Sequence, residues 1–218
     1  GRLRGEDLTG SLSLSGDGSV LRVHELELSA GTTRITAAGR LSDEWGLTAA
    51  VDSGDIGILL PGAKGSARGS VSVTGPRKSP SLQARVTGES LSWDSARATK
   101  AEAEIDASLD PQAPFDLQVS LTEPALGDLS GQTLTIHGSG TLADHRLLAE
   151  AVYDRGRASA EVSGKTSSET WAGDLKASIL DGSVSGSASF SLDDPGQWSA
   201  TVQAEEIDPG VLDAGFGG

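Results

Sequence analysis

The chain has 218 residues and a formal net charge of −14, with 17 basic side chains against 31 acidic ones. This balance argues against binding to nucleic acid or to an anionic membrane surface, because both require a basic face. The chain contains no cysteine, which excludes disulfides and thiolate metal sites. It also contains no methionine and no run of about 20 apolar residues, the length that crosses a bilayer. We therefore interpret it as a segment of a longer protein.

The first quarter of the chain alternates apolar and polar residues with a period of two. This pattern is typical of a strand with one apolar face. The alternating stretches are 8–14, 21–28, 35–41 and 45–51. A phase slip at His24-Glu25 predicts a β-bulge in the second stretch. Asp17-Gly18 predicts the first turn.

The middle of the chain continues the alternation through 67–73, 82–86, 91–93, 101–109 and 115–121. Residues 96–109 are rich in Ala and Glu, which leaves a helix as an alternative, but the strict alternation favours a strand. Residues 123–131 contain Pro124 and two glycines and predict a loop.

The last third is the most regular part of the chain, with alternation in 134–136, 147–153, 158–162, 171–179, 184–192 and 198–204. The sequence as a whole predicts about fifteen strands and no helix longer than a turn, far above the usual strand content. The predicted fold class is therefore all-β.

One stretch occurs twice. Residues 45–65 and 198–218 align without a gap and share seven identical positions, where average composition would give about one or two. In each copy a strand that begins with Trp is followed by Asp-x-Gly, and the capping Asp predicts one short helical turn. The wider repeat pairs 31–65 with 182–218, and no linker separates the two copies. Residues 1–218 are therefore predicted to form one continuous, elongated β-repeat segment.

Motifs of catalytic and metal sites are absent. Gly182–Gly186 resembles a nucleophile elbow but has Val at its centre. His137 and His145 would approach each other across one hairpin, and we interpret them as a solvent-exposed pair because zinc-ligand spacing is missing. Asp43-Glu44 and Asp193-Asp194 occupy matching turns and are interpreted as solvated turn residues. The sequence predicts no enzyme activity, no metal and no cofactor.

The apolar face is built mainly from Ala, Gly, Val and Leu, with few aromatic residues. Two sheets packed face to face enclose a layer about 10 Å thick, which large side chains usually fill. Two interpretations follow: the small residues fill a closely packed core, or the face is left free to hold something else.

Several motifs in order resemble one family. Residues 65–75 read GSARGSVSVTG, residues 80–88 read PSLQARVTG, and GTLADHRL follows at 140–147. Together with the Trp strand and DPGVL at 208–212, these motifs resemble the AsmA-like superfamily, most closely the TamB family (translocation and assembly module subunit). The resemblance covers nearly the whole chain, but the membrane anchor and the C-terminal segment of that family are missing.

This resemblance implies a β-taco, an elongated antiparallel U-shaped sheet with an apolar concave groove. It also implies a periplasmic location, in a parent protein anchored in the inner membrane of a diderm bacterium. The implied function is to carry phospholipid acyl chains along the groove between the inner and outer membranes, in connection with outer-membrane biogenesis. The implied partners are phospholipid and a TamA-like outer-membrane barrel, the latter contacted by regions outside this segment.

The candidate lining residues of the groove are the larger apolar side chains of the alternating stretches. They are Val71, Val73, Leu82, Val86, Phe115, Leu117, Trp171, Leu175, Val184, Phe190, Leu192, Trp198 and Val202.

Two alternatives remain open. The first is a scaffold for outer-membrane protein assembly that pairs its strand edges with incoming strands. The second is a purely structural β-solenoid.

Overall fold

The structure is a computed structural model that describes residues 1–206 except 111, 142, 155, 180, 181 and 195. Strand accounts for 76% of it, and the all-β prediction is confirmed. The strands are β1 (Arg2–Leu3), β2 (Glu6–Gly16), β3 (Leu21–Ala30), β4 (Thr33–Leu41), β5 (Glu44–Ser53), β6 (Ala63–Pro76), β7 (Ser81–Trp93), β8 (Ala96–Ser108), β9 (Phe115–Thr122), β10 (Ala125–Leu126), β11 (Leu129–Gly140), β12 (Asp144–Tyr153), β13 (Gly156–Thr166), β14 (Thr170–Ile179), β15 (Gly182–Ser191) and β16 (Trp198–Glu205).

All of these strands belong to one strongly curved sheet. Successive strands pair antiparallel from β1 to β8 and again from β11 to β16. Between these two runs, β9 and β10 share one position, since each pairs with both β8 and β11, and the four strands close a small ring. The β-solenoid alternative is wrong, because a solenoid stacks parallel coils, whereas chain neighbours here form antiparallel hairpins.

Short polar turns connect the strands. The Asp17 carboxylate accepts hydrogen bonds from the backbone N–H groups of Ser19 (3.3 Å) and Val20 (3.0 Å). The Ser19 hydroxyl also donates a hydrogen bond to this carboxylate. The three hydrogen bonds lower the pKa of Asp17, and the bond from the hydroxyl has the largest effect. The predicted bulge at His24-Glu25 is confirmed, since the pairing register shifts there against both β2 and β4.

Two predictions for the middle of the chain have different outcomes. Ala96–Ser108 is strand β8, which confirms the strand and rejects the helix. The predicted loop at 123–131 is wrong in part, because β10 and the start of β11 form a tight hairpin there, with Leu126 opposite Leu129. Gly127, with φ of 58°, makes this turn possible.

The helical turn of the first Trp stretch is confirmed. Residues Ile56–Ile58 form a 3-10 turn, and the Asp55 side chain accepts a hydrogen bond of 2.9 Å from the Gly57 N–H. Beneath this turn, the buried hydroxyls of Thr33 and Ser53 lie 2.6 Å apart and satisfy each other. The corresponding turn of the second copy, at 207–218, lies outside the described residues.

In the described part of the chain the sheet is a single layer. The main tertiary contacts join strands that are neighbours in the sheet, and the 3-10 turn packs on β6. The buried apolar side chains found there are only Ala30, Ile58, Ala63 and Ala98. The interpretation that small residues fill a core between two sheets is therefore wrong for the described residues, since no second sheet covers the face.

The polar face carries ion pairs between neighbouring strands. Nitrogen–oxygen distances are 3.1 Å for Arg68–Asp52, 2.6 Å for Arg85–Glu104 and 2.5 Å for Arg146–Glu161. These pairs are largely exposed, so each stabilises the fold only slightly. The hydrogen bond from Arg85 lowers the pKa of Glu104, and the same bond raises the pKa of Arg85.

We expect Arg85→Gln to return the pKa of Glu104 towards its ordinary value. Because the pKa is depressed in the folded state, the stability that this pair contributes is present at neutral pH. It is lost as pH falls through the folded-state pKa. Carboxyl carbon NMR titration of Glu104 measures the change. Arg68→Gln is the matched control, because Arg68 pairs with Asp52, and an equal effect of both variants would contradict the assignment.

We expect Gly39→Ala to lower the free energy of unfolding by about 1–3 kcal/mol. Gly39 has φ of 146°, and a Cβ added there would overlap the carbonyl oxygen of Gly46 on β5. Gly46→Ala is the control, since no atom lies within 4 Å of its added Cβ, and its effect should stay within about 0.5 kcal/mol. Denaturant titration followed by tryptophan fluorescence compares them, and equal stability of the two variants would contradict the close approach at Gly39.

Candidate functional site

One row of side chains, here called the central apolar row, crosses fourteen strands without a polar residue. Its members lie directly opposite one another in neighbouring strands and therefore share a face of the sheet. In strand order they are Leu12, Leu26, Ala37, Ala49, Val71, Ala84, Ile105, Leu117, Gly138, Leu147, Val162, Leu175, Gly186 and Val202.

A second apolar row runs parallel to the first, two residues away in each strand and alternately before and after it in the sequence. It too crosses fourteen strands without a polar residue: Gly10, Leu28, Ile35, Val51, Gly69, Val86, Ala103, Val119, Ile136, Ala149, Ala160, Ala177, Val184 and Ala204. At about 4.8 Å between strands, both rows extend over about 60 Å. The sheet thus presents an apolar band two rows wide.

The structure places twelve of the thirteen candidate lining residues in strands and on this face. The central apolar row contains Val71, Leu117, Leu175 and Val202, and the second apolar row contains Val86 and Val184. The remaining six lie in flanking rows of the same face: Val73 opposite Leu82, Phe115 opposite Gly140, and Trp171, Phe190 and Trp198 opposite one another. Leu192 follows the end of β15 and lies outside the strands.

The apolar face is open to solvent to different degrees along the sheet. Leu12 on β2 is 59% exposed, and Val202 on β16 is 64% exposed. In β5 and β14, which have a strand on either side, the apolar positions are half-buried. The half-buried state arises from lateral contacts with neighbouring strands, because no second layer covers these positions in the described residues.

The flanking row that contains Trp171 and Phe190 includes one polar contact, between Trp171 and His145. The Trp171 Nε1–H donates a hydrogen bond of 3.0 Å to His145 Nε2, and the Trp171 ring stacks on Phe190 with centroids 5.2 Å apart. A Cβ added to Gly164 would lie 2.6 Å from Trp171 Nε1, and one added to Gly173 would lie 2.6 Å from the far edge of the indole. The indole therefore lies over these two glycines.

The predicted exposed pair of His137 and His145 is wrong in part, because His137 is exposed as predicted but the two side chains lie on opposite faces of the sheet. His137 lies on the polar face, where its Nε2 is 3.1 Å from a carboxylate oxygen of Asp116. His145 lies on the apolar face and is half-buried against Trp171. The signal was present in the sequence, since His145 is in phase with Leu147 and the apolar positions that follow it.

A cleft of about 730 Å³ lies on the opposite side of the sheet. Its lining comes from the central apolar row and from the polar rows on either side of it, and it includes no member of the second apolar row. The side chains that line it include Thr36, Thr48 and Ser70, with Arg85 and Glu104 at one end. The cleft therefore opens on the polar face, and the central row contributes backbone to its floor.

Two further features were searched for in the part of the chain that the structure describes. No group of three or more His, Asp or Glu side chains there could hold a metal ion. That part also contains no helix with the length and apolar character needed to pass through a bilayer.

Comparison with known proteins identifies one family. The family model described as TamB, N-terminal domain, matches residues 1–185, which include β1 to β14 and the start of β15. No solved structure matches the chain. The match covers more than four fifths of the 218 residues, and it confirms the resemblance drawn from the motifs. The chain belongs to the TamB family, whose members are involved in outer-membrane assembly.

Proposed function

We propose that this chain is a segment of a periplasmic bridge that carries phospholipid acyl chains along its apolar face, without catalysis. The parent protein would be anchored in the inner membrane and would meet a TamA-like outer-membrane barrel through other regions. The observation that supports the proposal is the pair of apolar rows, each crossing fourteen strands without a polar side chain.

The size of the apolar band fits an acyl chain. Leaving water is favourable by about 0.8 kcal/mol per CH2 group, so a 16-carbon chain needs apolar cover equivalent to about 12 kcal/mol. Monomeric soluble proteins rarely expose contiguous apolar patches larger than a few hundred Å². An apolar band of about 60 Å that no second layer covers, as far as the described residues show, therefore favours a ligand on this face.

Transport along a surface also requires uniform affinity. A deep pocket would trap the lipid, and a charged side chain in its path would block it, because an unpaired charge is costly in an apolar environment. The two rows contain no charged side chain and consist only of Val, Leu, Ile, Ala and Gly. A U-shaped curvature with this face on the inside would surround the chain on three sides.

Site-specific photo-crosslinking tests the proposal. A photoreactive residue at Val71 or Val184 on the apolar face should capture phospholipid in cells of a diderm bacterium, as detected by mass spectrometry of the purified protein. Ser72 and Ser185 are the matched controls, because each is adjacent in the same strand and points to the opposite face. We expect capture at the apolar positions to exceed that at the controls by about tenfold, which corresponds to about 1.4 kcal/mol.

Equal capture on both faces, or no capture at either, would contradict lipid binding by the apolar rows.

A charge placed in the second apolar row should block lipid binding. We expect Val119→Asp to reduce the phospholipid that co-purifies with the chain by at least about tenfold, because the carboxylate would lie in the path of the acyl chain. Ser120→Asp adds the same charge on the other face of β9 and should retain the lipid. Circular dichroism of both variants checks that the sheet is intact, and retention of lipid by Val119→Asp would argue against this path.

A second candidate function is a scaffold for outer-membrane protein assembly, in which strands of this sheet pair with incoming strands. The family match supports this candidate, because members of the TamB family are involved in outer-membrane assembly. Crosslinks from β16 to unfolded barrel proteins, with none to lipid from Val71 or Val184, would favour this function over lipid transport.

A further inference from the structure

We propose that His145 and Trp171 form a pH-sensitive latch on the apolar face. Neutral His145 holds the Trp171 indole flat against the sheet, and protonation of His145 releases it. The latch depends only on contacts within the chain, so it stands whether or not the face carries lipid.

The position of the indole is set by few contacts. Gly164 and Gly173 provide the space beneath it, Phe190 stacks on it, and its single polar contact is the 3.0 Å hydrogen bond to His145. Trp171 is near the start of β14, and the position opposite it on β13 is Thr166. Loss of the hydrogen bond would leave the ring held by stacking alone.

The direction of the hydrogen bond determines the protonation state. An indole N–H only donates, so His145 Nε2 must accept with a lone pair, and the proton of the neutral ring lies on Nδ1. Protonation places a second N–H on Nε2, and the two donors then face each other at a distance of 3.0 Å. Histidine is the side chain that ordinarily changes its charge within the physiological pH range, so we expect acidification to break the contact.

The charged groups on the strands beside His145 lie on the other face of the sheet. The turns at this end of the sheet carry Glu169, Asp193 and Asp194, and in the described residues none of them forms an ion pair with His145. The positions opposite His145 are Gly140 on β11 and Gly164 on β13, and neither carries a side chain. The adjacent Arg146 pairs with Glu161, and Asp144 pairs with Lys165 at 3.8 Å.

On β14, Asp174 and Lys176 alternate with the apolar positions and also point to the polar face. In the described residues of these strands, no carboxylate faces His145 to stabilise its cationic form in place.

Nitrogen-15 NMR of the tryptophan side chains in the 218-residue chain tests the latch. Between pH 8 and pH 5, we expect the Trp171 indole signal, assigned with Trp171→Phe, to shift in one titration step. At pH 5 its exchange with solvent should be roughly fivefold faster than in His145→Gln at the same pH, as expected for the loss of one hydrogen bond. His145→Gln should keep the signal in its high-pH position at both pH values, because the amide oxygen accepts the bond but does not titrate.

His137→Gln is the control, because His137 lies on the polar face beside Asp116. In this variant the Trp171 signal should respond to pH as it does in the unmodified chain. A Trp171 signal that does not respond to pH, or that responds equally in His145→Gln, would overturn the proposal. Lipid capture at Val71 and Val184 is measured separately, so failure of the latch and failure of the proposed function can be distinguished.

Discussion

The backbone register between neighbouring strands is the constraint on which both faces of this sheet depend. Side chains alternate with a period of two, so a slip by one residue would move every apolar side chain of that strand to the polar face. Tight turns fix the register, such as the Gly127 turn between β10 and β11. At a register shift, such as that between Gly131 and Thr133, the odd-numbered and even-numbered residues of the strand exchange faces. Leu129 and Leu134 consequently belong to the same face despite their odd spacing.

A single layer couples stability to the properties of its surface. In a sandwich the apolar faces are hidden, whereas here the half-buried side chains of β5 and β14 are both cross-strand contacts and exposed surface. Contacts between paired side chains are the main lateral stabilisation of a sheet. A substitution in the apolar rows therefore changes the fold and the surface together. For this reason each variant of the apolar face needs a matched variant on the polar face of the same strand.

Alternation in the sequence predicted the strands and the shared face well. Twelve of the thirteen candidate residues lie on it, because parity within a strand follows directly from the pattern. Alternation cannot predict what covers that face, since a sandwich and a single layer have the same period. It also gave no sign of the cleft on the polar face, whose lining at Thr36, Thr48 and Ser70 depends on the curvature of the sheet.

The hairpin at 123–131 was missed because its two-residue strand is too short to show a period. The contact between His145 and Trp171 joins residues 26 positions apart, and only the register of three strands brings them together. In both places local sequence patterns were insufficient because the pairing of distant strands determines the structure.

The small residues of the apolar rows now have a physical explanation. A Cβ added to Gly138 would lie 2.7 Å from Leu147 and 3.3 Å from Leu117, its neighbours on either side. Gly69 is likewise bordered by Val86 and Val51, at 3.2 and 3.4 Å. Large side chains thus lean over the glycines between them and form a continuous apolar surface within one layer. The small residues accommodate neighbours in the same sheet, so their presence does not require a second sheet packed closely against the first.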